Sequence, residues 1–351
     1  MNIWAYIIRR LLLLIPTLLG LTLLVFILSH FSGNNILLAT YLNPRLTGTA
    51  RQLLVQKLTA EFHLNQPIYV QYFYWLLQVL EGNWGFTNTP VFSGQVTAAI
   101  ELFLPNTVVL TVAAAILIWI IGVPLGIYSA VSRDSAADHI LRVGSFTLYA
   151  MPIYLIGIAL IIVLGVYFKV LPFSGVVSPT LVSSFSWYIN GISYPTHVIL
   201  IDALIHGAWG VAFDAFLHFI LPALTLALAI VASIIRILRS SMLEVLDQDY
   251  IRLARSKGLP ERTVNNIHAQ KNALLPMITL FGLTVAGLLG GAVVVETIFS
   301  YPGIGYWTTQ AFLNSDVGGI MASTLLFGLI LVAANLVVDV IYAFIDPRIR
   351  Y

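Results

Sequence analysis

The chain has 351 residues, of which 59% are hydrophobic and only 9% are charged, and its mean hydropathy is +0.93. Because a soluble domain carries about 25% charged residues, this composition excludes a globular protein that is surrounded by water on all sides. The lack of cysteine excludes a disulfide framework, a thiolate nucleophile and a cysteine-ligated metal. The net charge of +2 is small, so only the distribution of charges along the chain is informative.

Apolar runs long enough to cross a bilayer recur along the chain. A helix needs about 20 apolar residues for this. The first run follows Arg9 and Arg10 and is longer than the apolar part of a secretory signal, so we expect a retained helix. The sequence predicts an all-α polytopic membrane protein with six transmembrane helices, over Leu11–Ser29, Pro105–Val131, Val143–Phe168, Leu217–Ile235, Met277–Thr297 and Ile320–Ile345.

A seventh apolar stretch, Val198–Phe216, carries Asp202, His206 and Asp214. If this stretch crossed the membrane, the basic loop over 236–271 would lie outside. That arrangement contradicts the rule that Lys and Arg collect on the cytoplasmic side. We therefore expect Val198–Phe216 to lie outside, as a helix at the interface or packed on the protein.

The basic residues also predict the orientation of a multi-pass protein in the cell (inner or plasma) membrane. With six spans, both termini are cytoplasmic, and 13 of the 17 Lys and Arg lie inside. The four on the outside are Arg45, Arg51, Lys57 and Lys169. Those on the inside are Arg9, Arg10, Arg133, Arg142, Arg236, Arg239, Arg252, Arg255, Lys257, Arg262, Lys271, Arg348 and Arg350.

The spans divide the chain into three parts. Residues 1–30 are the first transmembrane helix, 31–104 an extracytoplasmic segment and 105–351 a membrane core. The core includes an extracytoplasmic insertion over 171–216 and a cytoplasmic loop over 236–276. The stretch QPIYVQYFYWLLQVLEGNWG of the first outside segment is rich in aromatic residues, so we expect it to fold against the membrane.

Few groups in the spans can carry chemistry. Glu296 and Asp339 are possible functional sites inside the membrane, although each is as well explained by a bond to a neighbouring helix or by reaching the interface. Two isolated carboxylates do not form the relay that an ion-coupled secondary carrier needs. The sequence has no phosphate-binding loop, catalytic triad or metal-ligand spacing, so an enzyme is unsupported. A receptor or scaffold remains open, and no nucleic acid partner is expected.

The inside loop carries the strongest local signal. Asp249 is a suitable N-cap for a helix over Tyr250–Lys257, and Gly258 can adopt the left-handed conformation that ends such a helix. Pro260 suits the first position of a second helix, with Glu261 near its positive end. The loop is therefore predicted to be a helix, a glycine turn and a second helix.

Two features of this loop favour contact with a partner. Arg255 and Lys257 lie in the last turn of the first helix, where cations are stabilised. The small residues Ala254 and Ser256 would let another backbone approach closely. On chemistry alone, an ordinary amphipathic connector that carries the cytoplasmic positive charge explains the loop at least as well.

The loop resembles the EAA loop of ATP-binding-cassette importer permeases, in the form found in the oligopeptide/dipeptide/nickel group. That form runs Tyr-[Val/Ile]-Arg-x-Ala-Arg-[Ala/Ser]-Lys-Gly-Leu, and this chain has YIRLARSKGL from Tyr250 to Leu259. Arg252 and Leu253 replace the Glu and first Ala of the broader pattern. The stretches IIRRLLLLIPTLLGLTLLVFILSHFSG, LPALTLALAI, GGAVVVETIFSYPGIG and NLVVDVIYAFIDPRIRY also resemble the B-type subunit, whereas 171–216 is longer than usual.

This resemblance implies the type I importer permease fold and a set of partners. The loop would be a coupling helix that docks on one of two cytoplasmic ATPase subunits, which use ATP and Mg, whereas this chain binds no cofactor itself. A C-type permease would complete the pore as a heterodimer, and an extracytoplasmic binding protein would deliver the substrate. Peptides are the expected substrate, with oligosaccharides, nickel or glutathione as alternatives. The implied coupling residues are Tyr250, Arg252, Ala254, Arg255, Lys257, Gly258, Leu259, Pro260, Glu261 and Arg262.

Overall fold

The computed structural model describes residues 3–31, 36–42, 46–183 and 194–345. These residues are mostly helical and include one antiparallel hairpin. The strands are β1 (Phe86–Thr89) and β2 (Phe92–Gln95). The helices are α1 (Ile3–Phe31), α2 (Ile36–Tyr41), α3 (Gly48–Glu61), α4 (Ile68–Leu80), α5 (Val96–Leu117), α6 (Val123–Val131), α7 (Ala136–Ala150), α8 (Ile153–Leu160), α9 (Pro179–Val182), α10 (Ile199–Ile205), α11 (Trp209–Leu246), α12 (Asp249–Ser256), α13 (Glu261–Thr263), α14 (Gln270–Ile298), α15 (Ile304–Leu313) and α16 (Val317–Ile345).

Three π-helical segments extend or join these helices. Ile118–Gly122 joins α5 to α6, so that the chain is helical from Val96 to Val131. Ile161–Tyr167 continues α8, and Val264–Ala269 joins α13 to α14.

Four helical stretches in the described residues are long and apolar enough to cross a membrane. They are Ile8–Leu28, Val96–Val131, Trp209–Leu246 and Val317–Val337, and four of the predicted spans lie in the same helices. The span predicted over 277–297 lies in α14, a helix of 29 residues. Several side chains between 279 and 291 lie outside the described part of the structure.

The helix expected over 143–168 is not continuous. α7 ends at Ala150, α8 begins at Ile153, and the chain turns by 111° between them. Met151, with φ −83° and ψ 129°, is extended. The following residue, Pro152, disfavours a helical conformation at the position before it, which explains the break.

The fourth predicted span is much longer than expected. α11 has 38 residues and is therefore about 57 Å long, whereas the hydrocarbon core is about 30 Å thick. It begins at Trp209, inside the stretch that was expected to be a separate outside helix. Only Ile199–Ile205 forms a separate helix there, followed by a turn in which Gly207 has a φ of +68°.

The chain forms two compact units, one of which consists of residues 108–194 and 199–301. Its core surrounds α11, which packs against α6, α7, α8 and α14. Close packing requires small residues on α6 and the segment before it. A Cβ atom at Gly122 would lie 2.9 Å from Ile234, and one at Gly126 would lie 3.0 Å from Leu238.

The other unit consists of residues 1–107, 195–198 and 302–351, and in it α1 packs against α16. The aromatic stretch of the segment predicted to lie outside contains the helix α4, whose Tyr72 hydroxyl lies 2.9 Å from the Thr22 hydroxyl on α1. The Phe26 ring of α1 contacts the Tyr72 ring edge to face and lies tilted against the Trp75 ring. The hairpin is held against the start of α16, where a Cβ atom at Gly318 would overlap the Phe86 carbonyl oxygen.

Candidate coupling segment

The loop after α11 is helical over most of its length. α12 covers Asp249–Ser256, and its N-cap is Gln248 rather than the predicted Asp249. Asp249 is instead the first helical residue, and its carboxylate lies 3.4 Å from the Arg252 guanidinium in an exposed pair. A pair this exposed stabilises the helix by about 0.3–0.5 kcal/mol at most.

The turn after α12 requires glycine because of its backbone conformation. Gly258 has a φ of +74°, as the sequence predicts, and no neighbouring atom lies within 4 Å of the position that a Cβ atom would occupy. Its N–H donates to the Arg255 carbonyl at 2.9 Å, and the N–H of Leu259 donates to the Ala254 carbonyl at 3.4 Å. A residue such as Val or Ala at position 258 would therefore strain the turn by about 1–2 kcal/mol, although its Cβ atom would meet no neighbouring atom.

An exposed ion pair bridges the two ends of this turn. The Arg255 guanidinium donates from Nε to one Glu261 carboxylate oxygen at 2.8 Å and from Nη2 to the other at 3.3 Å. Pro260 is the N-cap of α13 rather than its first residue, and Glu261 takes that first position. The two-pronged pair holds α12 and α13 in a defined orientation across Gly258.

The buried face of this segment is continuous with the membrane core. Ile251 and Ala254 on α12, and Val264 and Ala269 on the π-helical segment, are buried in one cluster. The same cluster contains Leu238, Met242, Ala273 and Met277 of α11 and α14. The burial of Ala254 corrects the expectation that it offers a small surface to a partner, since its side chain faces the chain's own core, whereas Ser256 is exposed.

A hydrogen bond adds to this attachment. The Asn272 side chain on α14 donates to the Tyr250 hydroxyl at 2.8 Å, so the first turn of α12 is also fastened to α14. The remaining predicted coupling residues form the outer surface of the segment. The exposed ones are Tyr250, Arg252, Arg255, Lys257, Gly258, Leu259, Pro260, Glu261 and Arg262.

A second feature near this end of α11 did not emerge from the sequence. The carboxylate of Asp138 on α7 is fully buried and accepts two hydrogen bonds from Arg239 on α11, both at 2.8 Å. It also accepts bonds from the Ser129 hydroxyl of α6 at 2.6 Å and from the Asp134 N–H at 3.1 Å. We call Ser129, Asp138 and Arg239 the carboxylate hub, because one side chain ties α6, α7 and α11 together.

Of the two residues predicted as intramembrane sites, the structure describes the side chain of Glu296. Glu296 lies fully buried on α14, near the end at which Tyr301 donates its N–H to the Glu296 carbonyl at 2.8 Å. Asp339 belongs to α16, but its side chain lies outside the described residues. Among the side chains that the structure describes, no three His, Asp or Glu lie close enough together to hold a metal ion.

The sequence is similar to that of one family over most of its length. Residues 122–351 match the family described as "Binding-protein-dependent transport system inner membrane component". The chain is 37% identical over 353 residues to the dipeptide transport system permease protein DppB of Escherichia coli K12, with 99% of this chain and 98% of that protein covered. It is also 37% identical over 347 residues to the oligopeptide transport system permease protein AppB of Bacillus subtilis, with 99% of each covered. Its identity to the di/tripeptide permease DppB of Pseudomonas aeruginosa is 36% over 347 residues, again with 99% of each covered.

Proposed function

Because this chain belongs to the family of inner membrane components of binding-protein-dependent transport systems, we propose that it is the permease subunit of an ATP-driven importer of peptides. The relatives named above are dipeptide, oligopeptide and di/tripeptide permeases, and they cover nearly the whole chain. Peptides are therefore the proposed cargo. Oligosaccharides, nickel and glutathione remain alternative cargoes for the same machinery.

The observation that carries the mechanism is the shared core of the coupling segment. Its outer surface is exposed, whereas Ile251 and Ala254 are buried in the same cluster as Leu238 and Met242 of α11. Protein cores are close-packed and transmit displacement instead of absorbing it. A force applied to the exposed surface of α12 and α13 would therefore move α11 and α14 with them.

The proposed machine has separate parts for energy, delivery and passage. Two cytoplasmic ATPase subunits bind and hydrolyse ATP with Mg, and the coupling segment docks on one of them. A second permease subunit completes the pore, and a binding protein presents the peptide on the outer side. This chain contributes half of the pore and no catalytic group, with both termini and the coupling segment on the cytoplasmic side.

The carboxylate hub has a mechanical role in this scheme. It fastens α6 and α7 to α11 near the end of α11 that leads into the coupling segment. Movement of α11 would thus be shared by its neighbours, because a buried, bidentate ion pair resists separation. Glu296 is proposed as a polar site of the fifth span. Its side chain either bonds to a neighbouring helix or contacts the peptide as it crosses the membrane.

The test is uptake by the assembled complex, reconstituted into liposomes with a labelled alanyl dipeptide. We expect uptake that requires ATP, both ATPase subunits and the binding protein. Uptake that persists without any ATPase subunit would instead identify an ion-coupled secondary carrier. Transport of an oligosaccharide, nickel or glutathione, and not of the dipeptide, would support an ATP-driven importer but show that its cargo is not a peptide.

The coupling role is tested by Gly258→Val in the same complex, with Gly82→Val as the matched control. Gly258 and Gly82 both have a positive φ, of +74° and +85°, and an open space where a Cβ atom would lie. A strain of about 1–2 kcal/mol favours other turn conformations by about 5- to 30-fold. We expect Gly258→Val to reduce substrate-stimulated ATP hydrolysis accordingly, and Gly82→Val to leave it within about twofold of the unmodified complex. Equal behaviour of the two variants would refute the coupling assignment.

A further inference from the structure

A cavity of about 340 Å³ lies between α7 and α11, beside the carboxylate hub. Three guanidinium groups line it, those of Arg142, Arg236 and Arg239. The rest of its wall combines the aromatic rings of Phe146 and Tyr149 with the hydroxyl groups of Ser145 and Ser240. Its size lies within the range of small-ligand sites, about 300–1,000 Å³.

The cavity carries an excess of positive charge. In the described part of the chain, the Asp138 carboxylate pairs with two of these arginines, since it holds Arg239 at 2.8 Å and lies 3.6 Å from Arg142. Arg142 also contacts a ring nitrogen of His139, and Arg236 lies 4.4 Å from the centre of the Tyr149 ring. Asp138 thus pairs with two of the three arginines, and the Asp134 carboxylate also acts on the Arg239 charge. Arg142, which is only loosely paired, and Arg236 leave positive charge in excess for an anionic ligand.

An apolar stripe leads out of this cavity along α7. Ile140, Val143 and Phe146 recur at every third position, and each is about 70% exposed, at 72%, 67% and 70%. Phe146 both lines the cavity and belongs to the stripe. A ligand that fits both features has an anionic head for the arginines and a long apolar part for the stripe.

The bend after α7 fits the same kind of ligand. The chain turns by 111° into the segment that follows, so α7 runs at nearly a right angle to it. If that second segment crosses the bilayer, α7 lies closer to the membrane plane than to its normal. Amphipathic helices in this position place apolar side chains among acyl chains and basic side chains among headgroups.

We propose that Arg142 and Arg236 bind the phosphate headgroup of an anionic phospholipid, whose acyl chains lie along Ile140, Val143 and Phe146. Basic pockets between helices on the cytoplasmic side of a membrane are suited to such headgroups. The proposal uses the cytoplasmic orientation proposed above, but it depends on neither the cargo nor the ATPase contact. The bound lipid would secure α7 beside the carboxylate hub.

The test is lipid titration of the purified full-length chain in detergent, followed by native mass spectrometry. Phosphatidylglycerol is the anionic probe, and phosphatidylcholine is the net-neutral comparison. We expect tighter binding of phosphatidylglycerol, weakened by about 25-fold in the double variant R142Q/R236Q, since each basic group near the membrane contributes about a fivefold factor. The variant R142K/R236K keeps both charges and is expected to retain most of the binding.

The matched control is Arg133→Gln, on the turn just before α7. Arg133 already pairs with Asp134 at 3.3 Å and does not line the cavity, so its loss should change binding by less than about threefold. Equal binding of the two lipids, or unchanged binding in R142Q/R236Q, would overturn the proposal. Displacement of the lipid by inorganic phosphate would assign the site to a soluble anion. Displacement by a peptide with a free carboxylate, but not by its amide, would assign the site to cargo.

Discussion

Replacing Asp138 with Asn tests the carboxylate hub with a change of almost no volume. The buried carboxylate accepts four hydrogen bonds, from Arg239 twice, the Ser129 hydroxyl and the Asp134 N–H. An amide has one acceptor oxygen, and its NH₂ group would point toward donors. The change therefore breaks bonds and removes the hydrogen-bonded counter-charge of Arg239 at a position where its side chain is only 18% exposed.

Removing one partner of a buried ion pair costs about 3–5 kcal/mol. Because Arg239 retains some exposure, we expect the lower end of this range, about 3 kcal/mol, in the free energy of unfolding. The assay is unfolding of the purified chain in mixed micelles of increasing SDS content, followed by tryptophan fluorescence. The same variant should weaken the coupling of ATP hydrolysis to transport, because α7 is no longer fastened to α11.

The matched control is Asp134→Asn, four residues away. Asp134 is 70% exposed and its pair with Arg133 lies at the surface, so its loss should cost less than about 1 kcal/mol. Asn also tolerates the left-handed backbone at this position, where φ is +63°. If Asp138→Asn unfolds as the control does, or if its effect adds fully to that of Arg239→Gln, the hub does not act as described.

Three further outcomes are expected. Gly318→Ala should prevent correct folding, since its Cβ atom would overlap the Phe86 carbonyl oxygen. Gly144→Ala, where a Cβ atom would meet open space, should be tolerated in the same expression and solubility assay. Equal yields of the two variants would contradict this packing. Glu261→Gln should weaken the ion pair with Arg255 and reduce transport more than membrane insertion. Unchanged uptake would show that this ion pair does not contribute to coupling. In this cysteine-free chain, Lys57→Cys should react with an impermeant thiol reagent from outside, and Ser256→Cys only after permeabilisation; the reverse pattern would overturn the orientation.

Much of the fold follows from patterns that are local in the sequence. Apolar length predicts where the long helices lie, and the glycine turn at Gly258 follows from a rule about one residue type. In the loop after α11, the predicted helix starts differ from the observed ones by about one residue, at Asp249 and Pro260, because helix ends depend on weak local preferences.

Other features depend on contacts between distant parts of the chain. Asp138 and Arg239 are 101 residues apart, and nothing in the sequence around either residue indicates the other. Hydropathy alone predicts one continuous helix across Pro152, because the helices on both sides of the break are apolar. The buried face of α12 could not be chosen from the sequence, because either Ala254 or Ser256 could have faced the core.

The most direct test of the central claim is a cross-link between Ser256→Cys and the ATPase subunit. Because the chain has no native cysteine, this exposed position supplies its only thiol. A short bifunctional reagent, applied to the assembled complex, should join the permease to the ATPase, and ATP should change the yield as the complex closes. Lys57→Cys, on the predicted outer side, is the control and should give no such product. A failure of Ser256→Cys to cross-link, in a complex that still transports, would contradict the proposal that this segment is where the ATPase drives the membrane helices.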